Sequence, residues 1–185
     1  MAAMPAATKV WTLEELHSLP DDGNKYELIH GVLYMTPGPT DQHETIAARL
    51  TRLLDPYVAK HGLGYVYHPR AVFNIDGSEV EPDLMVRRPN TSPGGEWAKA
   101  PRPSLIVEIA SPSTRRRDRT DKRDFYLEYH IPDYWIVDGD ARTITVVRAD
   151  CPDVVEREAV RWEPDGASEP FIAQCLDIFG PDTSA

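Results

Sequence analysis

The chain has 185 residues, a length that one hydrophobic core can serve. Hydrophobic residues make up 41% and charged residues 27%, ordinary globular usage that excludes a chain too polar to bury a core. Thirty Asp and Glu against twenty Lys and Arg leave a formal charge of −10, so the molecule as a whole repels a phosphate backbone and any contact with nucleic acid must come from a local basic surface.

No apolar run approaches the roughly 18 residues that cross a bilayer, and the opening MAAMPAATKVW lacks a charged segment followed by an apolar one. A soluble cytoplasmic protein with no membrane partner is expected. Cys151 and Cys175 have no metal-type spacing and read as packed thiols or bystanders. Residues 1–10 show no periodicity and are expected to be disordered, ahead of one domain over 11–180. Thr12 and Glu15 have capping-box spacing, and Leu13 and Leu16 give a short helix that Pro20 ends. Tyr26–Ile29 and Val32–Met35 read as two strands turning at His30-Gly31. From Asp41 to Lys60, Ile46, Leu50, Leu53, Leu54, Tyr57 and Val58 fall on one helical stripe and predict the first core helix.

Gly64–Tyr67, Ala71–Ile75 and Asp83–Val86 read as three strands, with Asp76-Gly77 turning between the second and third, and suggest a meander. Residues 88–103 carry too many Pro and Gly for regular structure and form the best candidate for a lid. Ser104–Ala110 has the apolar pattern of a central strand covered on both faces, broken by Glu108. A basic helix over about 116–129 follows and should stop before Pro132. Tyr134–Asp138 and Thr143–Val147 suggest a further hairpin, and Val154-Val155 and Phe171-Ile172 short strands in the tail.

Glu108 carries most of the chemical argument, because a carboxylate inside Leu-Ile-Val-Glu-Ile-Ala must take up a proton or find a cation. A salt bridge to an arginine is the plain explanation for a lone Glu. Asp83, opening a strand straight after Pro82, changes the balance, because a strand, loop and strand separate the two acids and let them converge. Two such carboxylates, with a backbone carbonyl and waters, are hard oxygen ligands suited to Mg²⁺ or Mn²⁺. Asp118, Lys122 and Tyr126 stand at successive i,i+4 positions and share a helix face, while Arg115 to Arg123 holds six basic residues against two acidic ones.

These residues resemble the proline-aspartate, glutamate-x-lysine site of restriction-endonuclease-like nucleases. Tyr26-Glu27-Leu28-Ile29, Gly31, His43, Pro82-Asp83-Leu84, Val107-Glu108-Ile109 with Ser111–Thr114, Asp118, Lys122, Tyr126 and Pro132–Asp138 together resemble the Uma-two family over roughly residues 11–150. The resemblance implies a restriction-endonuclease-like α/β fold, a mixed sheet flanked by helices, with an additional hairpin before it and strands after it. It implies metal-dependent cleavage of DNA, with Asp83, Glu108 and the Ile109 carbonyl on the metal and Glu27 as a third acid. Where the common motif has lysine this chain has Ala110, and Lys122 from the next helix is the natural replacement. His43 would neighbour the metal, and Arg115, Arg116, Arg117 and Arg119 would contact phosphates. A homodimer is expected from open sheet edges and Tyr134-Trp135. The alternative is a catalytically inactive binding or assembly module on the same fold.

Overall fold

The computed structural model describes residues 9–181. The disorder expected of residues 1–10 falls, for 1–8, outside the described residues; Lys9 is held by an ion pair to Glu15 and sits over the Trp11 ring. The capping box forms as expected: Thr12 Oγ1 accepts from the Glu15 N–H at 3.2 Å and Glu15 Oε2 from the Thr12 N–H at 3.0 Å, starting α1 (Leu13–His17). Strands β1 (Lys25–Ile29) and β2 (Val32–Thr36) pair antiparallel across His30 and Gly31, whose φ values of 48° and 77° are the positive pair a two-residue hairpin turn needs. Thr40 caps α2 (Asp41–Lys60), which buries Ile46, Leu50, Leu54 and Val58 along the expected stripe.

The next strands correct the expected meander. Asp76-Gly77 joins β4 (Phe73–Ile75) to a strand not foreseen, β5 (Ser78–Val80), and β5 pairs with β1. Ser78-Glu79-Val80 is too short and polar to announce itself, yet Ser78 and Val80 are fully buried. By contrast β3 (Tyr65–Tyr67) pairs with β6 (Leu84–Arg87) in the other sheet. β6 runs antiparallel to β7 (Leu105–Ala110), and β7 runs parallel to β8 (Asp133–Asp138), a pairing that requires a crossover connection. That crossover is not the single helix expected but two, α3 (Arg115–Arg119) and α4 (Asp121–Glu128), parted at Thr120. Thr120 Oγ1 donates back to the Arg116 carbonyl at 2.9 Å, a local bond that competes with a continuous helical ladder.

Strands β9 (Thr143–Val147) and β10 (Val154–Glu156) complete a six-stranded mixed sheet of order β10-β9-β8-β7-β6-β3; the second sheet has the order β2-β1-β5-β4. The tail adds the hairpin β11 (Ala159–Trp162) and β12 (Phe171–Gln174) and the short α5 (Cys175–Phe179). Both cysteines are free, Cys175 buried and Cys151 exposed. Side-chain alternation along β7 sorts the core into two layers. Leu105, Val107 and Ile109 pack with α2, β11, β12 and α5, while Ile106 packs with α4 and the second sheet. Glu108 lies on the Ile106 face. Among the described residues no helix is long and apolar enough to cross a membrane.

Candidate active site

The chemistry gathers where β7 ends. Glu108 is 2% exposed and its Oε1 accepts from Lys122 Nζ and from the Tyr126 hydroxyl, both at 2.7 Å. Although the Thr120 break divides the helix that was to align them, Lys122 and Tyr126 still share the face turned to β7. Lys122 reaches Glu27 on β1 at 2.8 Å, and Glu27 also accepts the Glu81 N–H and faces Arg117 at 3.1 Å. One fully buried ammonium therefore bridges two buried carboxylates.

Asp83 arrives from the neighbouring strand. Leu84 pairs with Val107, so the ladder between β6 and β7 stops short of Ile109, and Asp83 Oδ2 accepts the Ile109 N–H at 2.8 Å in place of a backbone carbonyl. His43, whose own N–H is capped by Thr40, brings Nε2 to 3.0 Å from the same oxygen. Lys25 Nζ donates to Asp83 Oδ1 at 3.1 Å and to the Glu81 carbonyl at 3.0 Å.

Asp83, Glu108 and Ile109 line one cavity of about 670 Å³ whose walls include the turns at 36–40, 68–70 and 111–114. Five carboxyl groups (Glu44, Glu81, Asp83, Glu108 and Asp118) line it against three basic side chains (Lys25, Arg70 and Arg117). Asp118 is 1% exposed and its Oδ1 is buried without a hydrogen-bond partner. Three of these acids, Asp83, Glu108 and Asp118, are buried, and with the orphaned oxygen they fit a divalent cation. Among the described residues no three His, Cys, Asp or Glu side chains form a ready-made metal cluster. Two carboxylates and a carbonyl are the sparse protein ligation that Mg²⁺ accepts, because it keeps waters and substrate oxygens.

The electrostatics separate the two acids. Burial alone would raise Asp83, but the Lys25 ammonium and His43 hold it well below the usual carboxylate range. Burial pushes Glu108 up to about 7, and the neighbouring carboxylates Asp83 and Glu27 add to the rise, so Lys122 and Lys25 do not fully offset it. Lys122 is shared with Glu27, whose carboxyl it holds down, so Lys122 and Glu108 are both raised. Burial penalises the charge on Lys122, yet the two acids keep it protonated. Burial lifts Asp118. It also lowers His43, which its hydrogen bond and charge contact with Asp83 more than reverse.

The structure thus brings Asp83, Glu108, Ile109, His43 and Asp118 to one cavity wall, with Glu27, Lys122 and Tyr126 behind it. Lys122 does not line the cavity. Three of the four arginines expected at phosphates are engaged within the chain. Arg115 and Arg119 pair with Asp138, Arg115 also with Asp140, and Arg117 with Glu27. Arg116 is exposed. The loop 88–103 is not a lid over this site: its Arg88, Pro101 and Arg102 border a separate cavity with Arg87 and Asp133, at the opposite end of the sheet. Lys25 escaped the sequence reading. Its signal was the period-two spacing from Glu27 on β1, which puts both on one face of the strand.

A mixed sheet flanked by helices, with two converging acids where a central strand ends inside a cleft, defines a restriction-endonuclease-like fold. Residues 13–173 match the family model Uma2, described as "Putative restriction endonuclease", and the chain belongs to that family. It is also similar to a crystal structure from Anabaena variabilis ATCC 29413, described as a "putative nuclease belonging to DUF820". That likeness has a TM-score of 0.76 at 23% identity and covers 91% of this chain and 97% of the other. No curated protein matches the chain.

Proposed function

We propose that the protein is a metal-dependent endonuclease that hydrolyses phosphodiester bonds of DNA. The observation that carries this reading is the convergence of Asp83 and Glu108, from separate strands, on the wall of one cavity. Family membership supports the nuclease class. Asp83, Glu108 and the Ile109 carbonyl would hold Mg²⁺ or Mn²⁺. Such an ion, when bound, would supply an activated water and neutralise charge developing on the phosphate. Lys122 and Tyr126 fix the Glu108 carboxylate through Oε1, leaving Oε2 for the cavity. His43 and the Ile109 N–H fix Asp83 in the same way. Glu27 acts behind the wall, keeping Lys122 charged. Arg116 is exposed and, among the described residues, makes no ion pair, whereas Arg117 lines the cavity but is paired with Glu27.

The test is cleavage of single-stranded, duplex and branched DNA by purified protein with Mg²⁺, Mn²⁺ or a chelator. Cleavage should require the metal and fall by about 10²-fold or more in Asp83→Ala and in Glu108→Ala, the scale on which charge-stabilising groups act. Full metal-dependent cleavage by either variant would refute the assignment. Metal binding without cleavage of any substrate would favour an inactive binding module, a reading to which the intramolecular pairing of Arg115, Arg117 and Arg119 lends some support.

A further inference from the structure

The motif lysine is missing at Ala110, and its natural replacement, Lys122, is poorly placed to touch a substrate. The Lys122 side chain is fully buried, both of its acidic partners are within 2.8 Å, and it has no place on the cavity wall. Drawing it forward would strand Glu27 and Glu108 without their shared cation, a costly state for buried carboxylates. Lys25 differs in each respect. It lines the cavity, its side chain keeps 17% of its exposure, and it stands at the first position of β1 beside Asn24 and Gly23, which also line the cavity. Its ammonium rests on Asp83 Oδ1, one of the oxygens a divalent cation would use. Two cations cannot share that oxygen at about 3 Å without strong repulsion. Lys25 has a long flexible stem and an open cavity into which to turn.

We propose that Lys25, rather than Lys122, is the lysine that contacts the reacting phosphate, and that in the metal-free protein its ammonium holds the cation's place on Asp83. This rests on the nuclease reading and specifies the lysine of that site. Lys25 is released from Asp83 as the carboxylate takes up a metal, and its Nζ then donates to a non-bridging phosphate oxygen, where it offsets the charge that builds up during attack by water. Lys122 remains a positioning residue that orients Glu108.

The experiment pairs two measurements. In the wild-type protein, reductive methylation followed by mass spectrometry should show Lys25 labelled several-fold faster when Mn²⁺ is added, while Lys122 stays protected throughout. In Lys25→Met, calorimetry should find Mn²⁺ bound about tenfold tighter, because the competing ammonium is gone, with DNA cleavage down about 10²-fold. Should Lys25→Met fail to fold, the wild-type labelling decides alone. Unchanged Lys25 labelling on Mn²⁺ addition overturns the inference, and so does wild-type cleavage by Lys25→Met. If the wild-type protein binds no Mn²⁺ and cleaves nothing, the nuclease reading itself fails and takes this inference with it, a result distinct from the other two.

Discussion

The six-stranded sheet buries charge at both of its ends, and the two ends do so differently. Where β6 finishes and β8 begins, Arg87 is 4% exposed, with its guanidinium 3.9 Å from the Tyr67 ring centre and 5.3 Å from that of Trp97. Beside it Asp133 accepts from Arg148 at 2.6 Å. Each charge there has a partner, one aromatic and one ionic, and Arg87 Nε is left without a hydrogen bond. At the other end Glu108 and Glu27 share Lys122, Glu27 also faces Arg117, Asp83 pairs with Lys25 and His43, and Asp118 has an oxygen with no hydrogen-bond partner. At the active-site end four buried acids, Glu27, Asp83, Glu108 and Asp118, outnumber their lysine and arginine partners Lys25, Arg117 and Lys122 by one. Such an excess fits the divalent cation proposed above.

Three perturbations sharpen that contrast. The largest effect belongs to Lys122→Met, which leaves Glu27 and Glu108 buried without their shared cation. It should cost about 3–5 kcal/mol, seen as a fall in Tm of about 10 °C by calorimetry, since each kcal/mol moves a protein of this size by about 2–4 °C. A shift under 2 °C would show that the acids are not held by that ammonium.

An intermediate effect follows from Glu108, which burial pushes up to about 7. Below that pH it carries a proton that a cation must displace, so Mn²⁺ affinity should rise as pH increases through about 7 and level off above it, with a proton released on binding. The contribution to folding has the opposite sense. The folded pKa of Glu108 lies above its ordinary value of 4.5, so the stability it lends is present below that value and is lost as pH rises through about 7. Asp83 is depressed instead, so its contribution is present at neutral pH and lost in acid. A Mn²⁺ affinity that is flat between pH 6 and pH 8 would contradict the acid excess.

The smallest effect belongs to the far end. The Arg148 side chain is 40% exposed, so Arg148→Ala should cost no more than about 1 kcal/mol in thermal unfolding and leave Mn²⁺ binding unchanged.

The same contrast explains what the sequence disclosed. Glu108 stood out because one charge interrupts six strand residues that are otherwise apolar, and burial of such a strand is itself legible in its composition. Asp83 followed from Pro82 and the apolar run after it. Lys25 did not, because a lysine opening a strand looks like any solvated residue until the second sheet folds its β1 against Asp83. The intramolecular pairing of the arginine cluster was hidden for a related reason. Its partners Asp138 and Asp140 lie beyond the crossover, at the end of β8, and only the parallel pairing of β7 with β8 brings them alongside Arg115 and Arg119. Hairpin β4–β5 was half visible: its turn was plain, but the short polar strand that follows acquires its burial from β1.

The most direct measurement is a calorimetric titration of Mn²⁺ into the wild-type protein, Asp83→Ala and Glu108→Ala at pH 8. One site in the wild-type protein, lost in both variants, is the expected result. A site that survives removal of either carboxylate, or a wild-type protein that binds no Mn²⁺ at all, would contradict the shared metal site.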